Sequence, residues 1–527
     1  MMKRMISLLL TAIIVLSVLS GCSAGKPGEA VPAAGAGEEP AAISIFMIFN
    51  KRAFEDDWGV FIKAGQVTDT SIKSYTSRNE TDEVQAYNLM LSTGELADIV
   101  CYTVVGLEKL GADGGMMDLT QLIEEHGPNI TAFFEANPDL KKDLYSVDGN
   151  IYALPSFVDY KNLKATEGLF LRTDWVKQLG YEVPETLDEL EAVLTAFIEE
   201  DANGNGMKDE VPYFRRSDLE TAISNLLHLF GSHSYRTSGG HSGFYVDEGG
   251  RMQYAPLGSD YRFAVEKAAD WYAKGLIDKE IFTRGMGARD ALLPTNLGGS
   301  TVDWFPSTSN YNNLNGDIEG FELMPVAPVT IEGDRTSLMM ARSTNNGRGW
   351  GISANCKNPE AAIRILDYFF SEEGIRAFNY GVEGETYVME DGKPVFTDKV
   401  LNSPDGQPPL EVLNSIGAQQ QDMGSQQLAE YEYMVSGDIA KLGFDIYMQG
   451  DNTKDSMPIL KYTNAEVQEL ERIMAEVMPY VEESFQKWVL GAASVEDDYD
   501  TFIKTLESLD IERAIEIQQT AYDRYME

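Results

Sequence analysis

Cations are scarce in this 527-residue chain: 42 Lys plus Arg stand against 84 Asp plus Glu, a formal charge of −42. That deficit excludes a general nucleic-acid binder, because no net positive field draws phosphates in. It also opposes a polyanionic ligand unless a local basic pocket overrides the global field. Three cysteines cannot build a disulfide framework, and four histidines leave little room for histidine-rich metal chemistry. Gly-x-x-x-x-Gly-Lys-[Ser/Thr], Gly-x-Ser-x-Gly and His-Glu-x-x-His motifs are all missing. The apolar run from Met5 to Val18 falls short of the roughly 20 residues a membrane-spanning helix needs. What is present suits a folded body. Hydrophobic residues make up 43% and aromatics 10%, enough to bury a core. At roughly 100–200 residues per domain, the length implies two or more domains.

The start of the chain carries an address. Lys3-Arg4 precede the apolar run, and Leu19-Ser20-Gly21-Cys22 follow it. A charged segment, an apolar segment and small residues before a cysteine have the form of a bacterial lipobox. Residues 1–21 are therefore expected to be a lipoprotein signal peptide, with Cys22 as the lipidated N-terminus. An uncleaved anchor, or cleavage without lipid, is the alternative. Residues 22–40 are rich in Gly, Ala, Pro and Glu and hold no aromatic, which describes a flexible tether. The expected location is the extracellular face of the cell membrane.

Past the tether, strand and helix signals alternate. Ile43–Phe49 and Ala97–Tyr102 are short β-rich apolar runs, and helices are expected near Glu83–Leu91 and Leu119–Glu125. Asp148-Gly149 makes a turn before an extended Ile151–Pro155. Thr186 with Glu189 three residues on forms a capping box ahead of Leu190, Val193, Leu194 and Phe197. Asn358-Pro359-Glu360 opens a second well-punctuated helix with Ile363, Leu366, Phe369 and Phe370 as its core face. Asp260–Gly275 has helical spacing, and the last hundred residues are mostly helical in pattern. Such alternation favours a layered α/β fold.

Several phrases in fixed order carry a resemblance: Gly149-Asn150-Ile151-Tyr152-Ala153-Leu154-Pro155, Leu171-Arg172-Thr173-Asp174-Trp175, Lys357-Asn358-Pro359-Glu360-Ala361-Ala362 and Tyr380-Gly381-Val382-Glu383-Gly384. With the lipobox, they resemble the extracellular solute-binding proteins of family 1, in the LipO-like lipoprotein branch that includes alginate-binding proteins. The resemblance implies a class II periplasmic-binding-protein fold, two α/β lobes around a hinge cleft. Lobe 1 is placed at 41–155 plus 326–375 and lobe 2 at 156–325 plus 376–527. It further implies an ABC importer whose permease subunits are the partners, and an oligosaccharide ligand. The expected protein is a monomer, without nucleic acid and without catalysis.

The sharpest local chemistry is Asp201-Ala202-Asn203-Gly204-Asn205-Gly206-Met207-Lys208-Asp209-Glu210. Oxygen side chains fall at positions 1, 3, 5 and 9, with glycine at 6, as a hard cation requires. The Glu of an EF-hand loop is replaced at position 12 by Pro212. The resemblance implies a shortened structural calcium loop with Asp201, Asn203, Asn205, the Met207 carbonyl, Asp209 and Glu210 as ligands. The competing reading is a solvated Asn-Gly turn.

A sugar cleft combines aromatic platforms with polar side chains, and 25 Tyr, 23 Phe and 6 Trp supply candidates. The leading segment is Val302-Asp303-Trp304-Phe305-Pro306, similar to a strand-end aromatic segment of maltose-type binding proteins. Asn50, Trp58, Tyr102, Phe157, Tyr160, Arg348, Trp350 and Glu383 complete the candidate ligand-binding set. The net charge favours a neutral oligosaccharide, while Arg342 and Arg348 leave open a basic patch for a uronic-acid sugar. Two rivals stand beside capture by a binding protein. A surface lipoprotein glycosidase would need two carboxylates at a defined separation; His233 and His241 are more simply a solvated loop. A peptide-binding or sensor lipoprotein could use the same two-lobed form. Cys101 and Cys356 are expected to be free buried thiols.

Overall fold

The computed structural model describes residues 40–159, 161–216, 219–234, 243–332, 335–450 and 452–527. The expected signal peptide, Cys22, most of the tether, Tyr160 and His241 lie outside the described residues. Ten strands form the two main sheets: β1 (Ala41–Phe46), β2 (Thr70–Ser74), β3 (Ile99–Thr103), β4 (Leu154–Val158), β5 (Glu167–Arg172), β6 (Val211–Tyr213), β7 (Gly298–Trp304), β8 (Leu323–Val326), β9 (Asn345–Ile352) and β10 (Gln426–Gln427). One sheet runs β10-β4-β9-β3-β1-β2 and the other β8-β5-β7-β6. β1 pairs parallel with β2 and β3, while β9 is antiparallel to both β3 and β4. In the second sheet β5 is antiparallel to β7 and β8, and β6 is parallel to β7.

Each sheet is covered by helices and builds its own core, as an α/β layer must. Trp58 and Trp350 are buried in the core of the six-stranded sheet, Trp175 and Trp271 in that of the four-stranded sheet. The C-terminal helices supply much of the second core. Leu470, Ile473, Val477, Val481, Phe485 and Trp488 recur every three to four residues along helix Asn464–Val489 and are buried. Burying each such side chain contributes about 1.5–3 kcal/mol. Among the described residues no helix is long and apolar enough to cross a membrane.

Core membership redraws the expected lobe boundaries. The sequence pattern places residues 326–375 in the first lobe, yet Val329, Ile331 and Met339 pack in the second core. It places residues 376–527 in the second, yet Ala377, Phe378, Tyr387, Phe396, Leu413 and Met423 pack in the first. The chain returns to the six-stranded sheet at β9 and stays with it through β10, which pairs with β4 before the C-terminal helices begin. The chain crosses between β4 and β5, between β8 and β9, and after β10. The crossings run side by side, with Arg342 N donating to Lys164 O at 2.7 Å and Val158 N to Thr344 O at 2.9 Å.

Locally, the capping box is complete, with Thr186 and Glu189 bonding each other's backbone at the start of helix Leu187–Glu199. Asn358 occupies the cap position of Pro359–Tyr368, but its side chain makes no capping bond. Ala361 N and Ala362 N bond its backbone carbonyl instead. Cys101 and Cys356 are free and buried.

Candidate functional site

The crossings fix which sheet edges face each other. β5 starts, and β8 ends, where the chain enters and leaves the second lobe, so that edge looks toward the first. In register, Trp304 at the end of β7 stands opposite Glu167 at the start of β5. Gly168 is required there: a Cβ would lie 2.5 Å from the rings of Phe305 and Tyr447. β6 ends beside this edge and delivers Arg215 and Arg216.

Trp304 is 49% exposed, a large ring presented at a strand end. Its neighbour Asp303 is fully buried, and every earlier residue of the strand is buried too, on both faces, so only the terminal Trp304 emerges. Arg216 grips Asp303 with Nε to Oδ2 at 3.0 Å and Nη2 to Oδ1 at 2.8 Å. Arg289 Nη1 reaches Oδ2 at 3.3 Å, and Trp304 N donates to Oδ1 at 2.8 Å. Burial alone would raise the Asp303 carboxyl, but the Arg216 hydrogen bond and the charges of Arg215, Arg216 and Arg289 hold it below the ordinary value. Arg215 is buried and touches Glu167 Oε2 at 3.4 Å, while its Nε and Nη1 have no partner.

The first lobe's facing edge carries the end of β3 and the start of β9. Tyr102 stacks on Tyr87 with ring centroids 3.7 Å apart and planes 9° apart. The register of β9 against β4 shifts between Asn345 and Gly349. Such an irregularity re-aims side chains, and here it flanks Arg348. Arg348 bridges buried Asp422 and Glu83, the first residue of helix Glu83–Thr93, with Nη2 to Asp422 Oδ2 at 3.0 Å. Its guanidinium lies 5.8 Å from the Tyr102 ring. Burial pushes the Asp422 carboxyl up to about 6 against the attraction of Arg348. Arg342 pairs with Glu432 at 2.6 Å.

The predicted set therefore divides. Trp304, Tyr102 and Arg348 come to the facing edges. Asn50 is exposed in a left-handed turn (φ 49°) just past β1, near Asn414 at 3.5 Å. Trp58, Phe157 and Trp350 are corrections. All three are buried core residues, with Trp58 against Phe54 and Phe61, Phe157 against Phe133 and Phe134, and Trp350 against Phe369. Asp303 is a buried anchor for Trp304 rather than a surface group. Glu383 stands exposed in a turn of the first lobe. The Arg342–Arg348 basic patch does not form, since each guanidinium is matched by carboxylates. Glu167, Arg215, Arg216, Glu83, Tyr87 and Asp422 were missed. Only the Arg215-Arg216 pair after a short strand left a local signal; Glu83, Arg348 and Asp422 meet from distant parts of the chain.

The loop after helix Leu187–Glu199 folds inward on its own oxygens. Asp201 (φ 53°), Gly204 (φ 70°) and Gly206 (φ 82°) take left-handed turns. Asp201 accepts from Asn205 N and Gly206 N, while Asn203 Nδ2 and Asn205 Nδ2 donate to Asp209 Oδ1 at 3.0 and 2.9 Å. Glu210 is buried. Its Oε1 accepts from Asn203 N at 3.2 Å and its Oε2 has no partner. Burial, with the charges of Asp201 and Asp209, raises its carboxyl. Among the described residues no group of three or more His, Cys, Asp or Glu is gathered closely enough to hold a metal by itself. A cation here would draw as well on the Asn203 and Asn205 amide oxygens and the Met207 carbonyl. The orphaned Glu210 oxygen fits such an ion, since a buried acceptor without a donor costs about 1–3 kcal/mol.

Residues 66–375 match the family model described as bacterial extracellular solute-binding protein. The fructooligosaccharide ABC transporter substrate-binding protein FusA of Streptococcus pneumoniae is 24% identical over 85% of this chain and 83% of its own length. Lipoprotein LipO of Bacillus subtilis is 24% identical over 60% of this chain and 61% of its own. The crystal structure of the alginate-binding protein AlgQ2 without calcium ion superposes with a TM-score of 0.76 at 32% identity, covering 92% of this chain and 99% of that one. An EF-hand mutant of FusA in complex with fructo-nystose superposes at a TM-score of 0.71, with 20% identity and coverage of 92% and 99%.

Proposed function

The chain belongs to the bacterial extracellular solute-binding proteins, and from that premise we propose that it captures an oligosaccharide between its lobes and passes it, unaltered, to the permease of an ABC importer. The observation that carries this is the pair of facing edges. The half-exposed Trp304 stands beside Glu167 at the strand ends by which one lobe joins the crossings, and stacked Tyr102 and Tyr87 stand beside Arg348 and Glu83 at the corresponding strand ends of the other. Rings take the apolar faces of sugars, and carboxylate and guanidinium edges take their hydroxyls. Trp304 and Tyr102 are the platforms, with Asn50 at the rim. The function is binding and not catalysis. The strongly held carboxylates Asp303 and Asp422 are committed to arginines, so neither is free to attack or protonate a glycosidic bond.

Capture works through closure. Ligand that touches both edges stabilises the arrangement in which they approach, by no more than its preference for that arrangement. Cys22 carries the lipid that tethers the body outside the cell, in keeping with the likeness to LipO. A structural calcium ion sits on Asp201, Asn203, Asn205, the Met207 carbonyl, Asp209 and Glu210, a reading supported by the likeness to AlgQ2, solved without calcium ion, and to FusA, solved as an EF-hand mutant.

The test is a panel of oligosaccharides and short peptides, read by thermal unfolding and by small-angle X-ray scattering. At least one oligosaccharide raises the midpoint and lowers the radius of gyration, and Trp304→Ala abolishes both effects. Peptides that shift the midpoint while sugars do not would replace this reading, as would steady release of new reducing ends.

A further inference from the structure

We infer that the captured oligosaccharide is uncharged, and that Glu167 and Glu83 are the residues that accept its hydroxyls and turn uronates away. This rests on the oligosaccharide reading above and concerns the same two edges.

A sugar carboxylate is recognised by a guanidinium fork whose paired N–H groups are free to point at it. Arg216 and Arg348 commit paired N–H groups to carboxylates, and the N–H groups left unpaired on Arg215 and Arg289 are buried. Arg216 uses Nε and Nη2 on both oxygens of Asp303, and Arg289 reaches the same carboxylate. Arg348 uses Nε and Nη2 on Asp422 and extends to Glu83. Arg342, beside the crossings, is taken by Glu432. Arg215 keeps two unpaired N–H groups, but those atoms are buried beneath the edge, out of reach of a ligand in the cleft.

What the edges do present is carboxylate beside aromatic. Glu167 stands opposite Trp304 in the β5–β7 register, and its side chain is 32% exposed. Directly opposed residues on antiparallel strands have Cβ atoms about 4.5–5.5 Å apart on one face. A pyranose or furanose ring laid on Trp304 therefore brings its hydroxyl edge to the Glu167 oxygens, which can only accept. A uronate in that position would place its own carboxylate against Glu167, whose ion-pair partner Arg215 is buried and already held by it. The opposite edge repeats the arrangement. Glu83, 21% exposed, lies beside the Tyr87–Tyr102 stack, and the single charge of Arg348 is shared between Glu83 and Asp422. A chain that could bind either lobe thus meets acceptors on both sides, which suits hydroxyls and disfavours anions.

The inference is tested by calorimetry at low ionic strength. Neutral cello-, xylo-, manno-, galacto- and fructo-oligosaccharides are compared with oligogalacturonate, oligomannuronate and oligoguluronate, and oligogalacturonate with its methyl ester. The expected result is a neutral ligand with every free acid about a hundredfold weaker or more. Glu167→Gln then weakens the neutral ligand about tenfold and narrows the gap to the acids. Glu83→Gln does the same from the other lobe and leaves the Arg348–Asp422 pair in place, so the outcome stands even if the first variant folds poorly. An oligouronate bound as tightly as the best neutral glycan overturns the inference alone, as do two folded variants with unchanged neutral affinity. Binding of no glycan overturns the oligosaccharide reading itself, and this inference with it.

Discussion

Asp303 shows how a residue can serve a binding edge without meeting the ligand. It is fully buried, holds Arg216 and Arg289, and caps the backbone N–H of Trp304. Asp303→Asn leaves two guanidinium groups without their counter-charge, and removing one partner of a buried pair costs about 3–5 kcal/mol. The same residue predicts a pH dependence. Its folded pKa lies below the ordinary 3.8 despite burial, because Arg216 and its neighbouring arginines favour the charged form. Its contribution is therefore complete above the unfolded value and is lost as pH falls through the lower, folded value. Urea denaturation of wild type should show stability dropping below about pH 4, and Asp303→Asn should lack that part of the drop. Equal stability of the two proteins at pH 7 would end this account. The strand-end segment was legible in the sequence, but not which of Asp303 and Trp304 faces out. The strand is covered on both faces, so only where the packed sheet ends decides which residue emerges. Trp58, Phe157 and Trp350 were beyond reach for a related reason. Trp350 follows a glycine like a cleft residue, yet Gly424, a hypothetical Cβ of which would lie 2.6 Å from Trp350 Nε1, closes over it from a distant loop.

Helix starts were the most legible elements, since a cap is decided within four residues. The Thr186 box forms as its spacing requires, and a second one at Thr463 and Glu466 opens helix Asn464–Val489. The acidic loop was equally local. Glycines at 204 and 206 supply the left-handed turns, and oxygens two residues apart converge. Its partnerless Glu210 oxygen makes the metal reading testable. Calcium that binds only the folded state stabilises it by about 2.7 kcal/mol at a hundred times its Kd. Thermal unfolding should therefore shift upward on moving from chelator to calcium, and Glu210→Gln and Asp201→Asn should remove the shift. Identical midpoints in chelator and calcium would return the loop to a solvated turn.

At the scale of the whole molecule, lobe membership was the least legible property. Residues 377–431 carry no mark of which sheet they serve until β10 pairs with β4. The same long-range logic produces the contact that joins the lobes. Lys461, next to Leu460 of the second core, pairs with Glu108 on helix Val104–Ala112 of the first lobe. Both are nearly buried, at 8% and 13% side-chain exposure. Lys142 strengthens the junction by donating to the Tyr525 and Met526 carbonyls at 3.2 and 3.0 Å. Burial raises the Glu108 carboxyl, Lys461 opposes that, and Asp148 and Asp143 add to it, so Lys461 faces more negative charge than it cancels. A buried pair gives nothing back for its desolvation unless both partners stay in place. Opening the lobes breaks the pair but returns both ions to water, so the intact pair is nearly neutral, whereas a Lys461 left without its partner is relieved only by opening. Glu108→Gln keeps the shape and strands the Lys461 charge. Its unliganded form should be more open, with a larger radius of gyration than wild type. Apparent ligand affinity should fall in proportion to the lost binding-competent fraction, about tenfold if that fraction drops from near one to a tenth. Saturating ligand should bring both proteins to the same radius, because neither Glu108 nor Lys461 belongs to the facing edges. A variant that matches wild type in unliganded radius and in affinity would show that the pair holds the lobes together without setting how far they part.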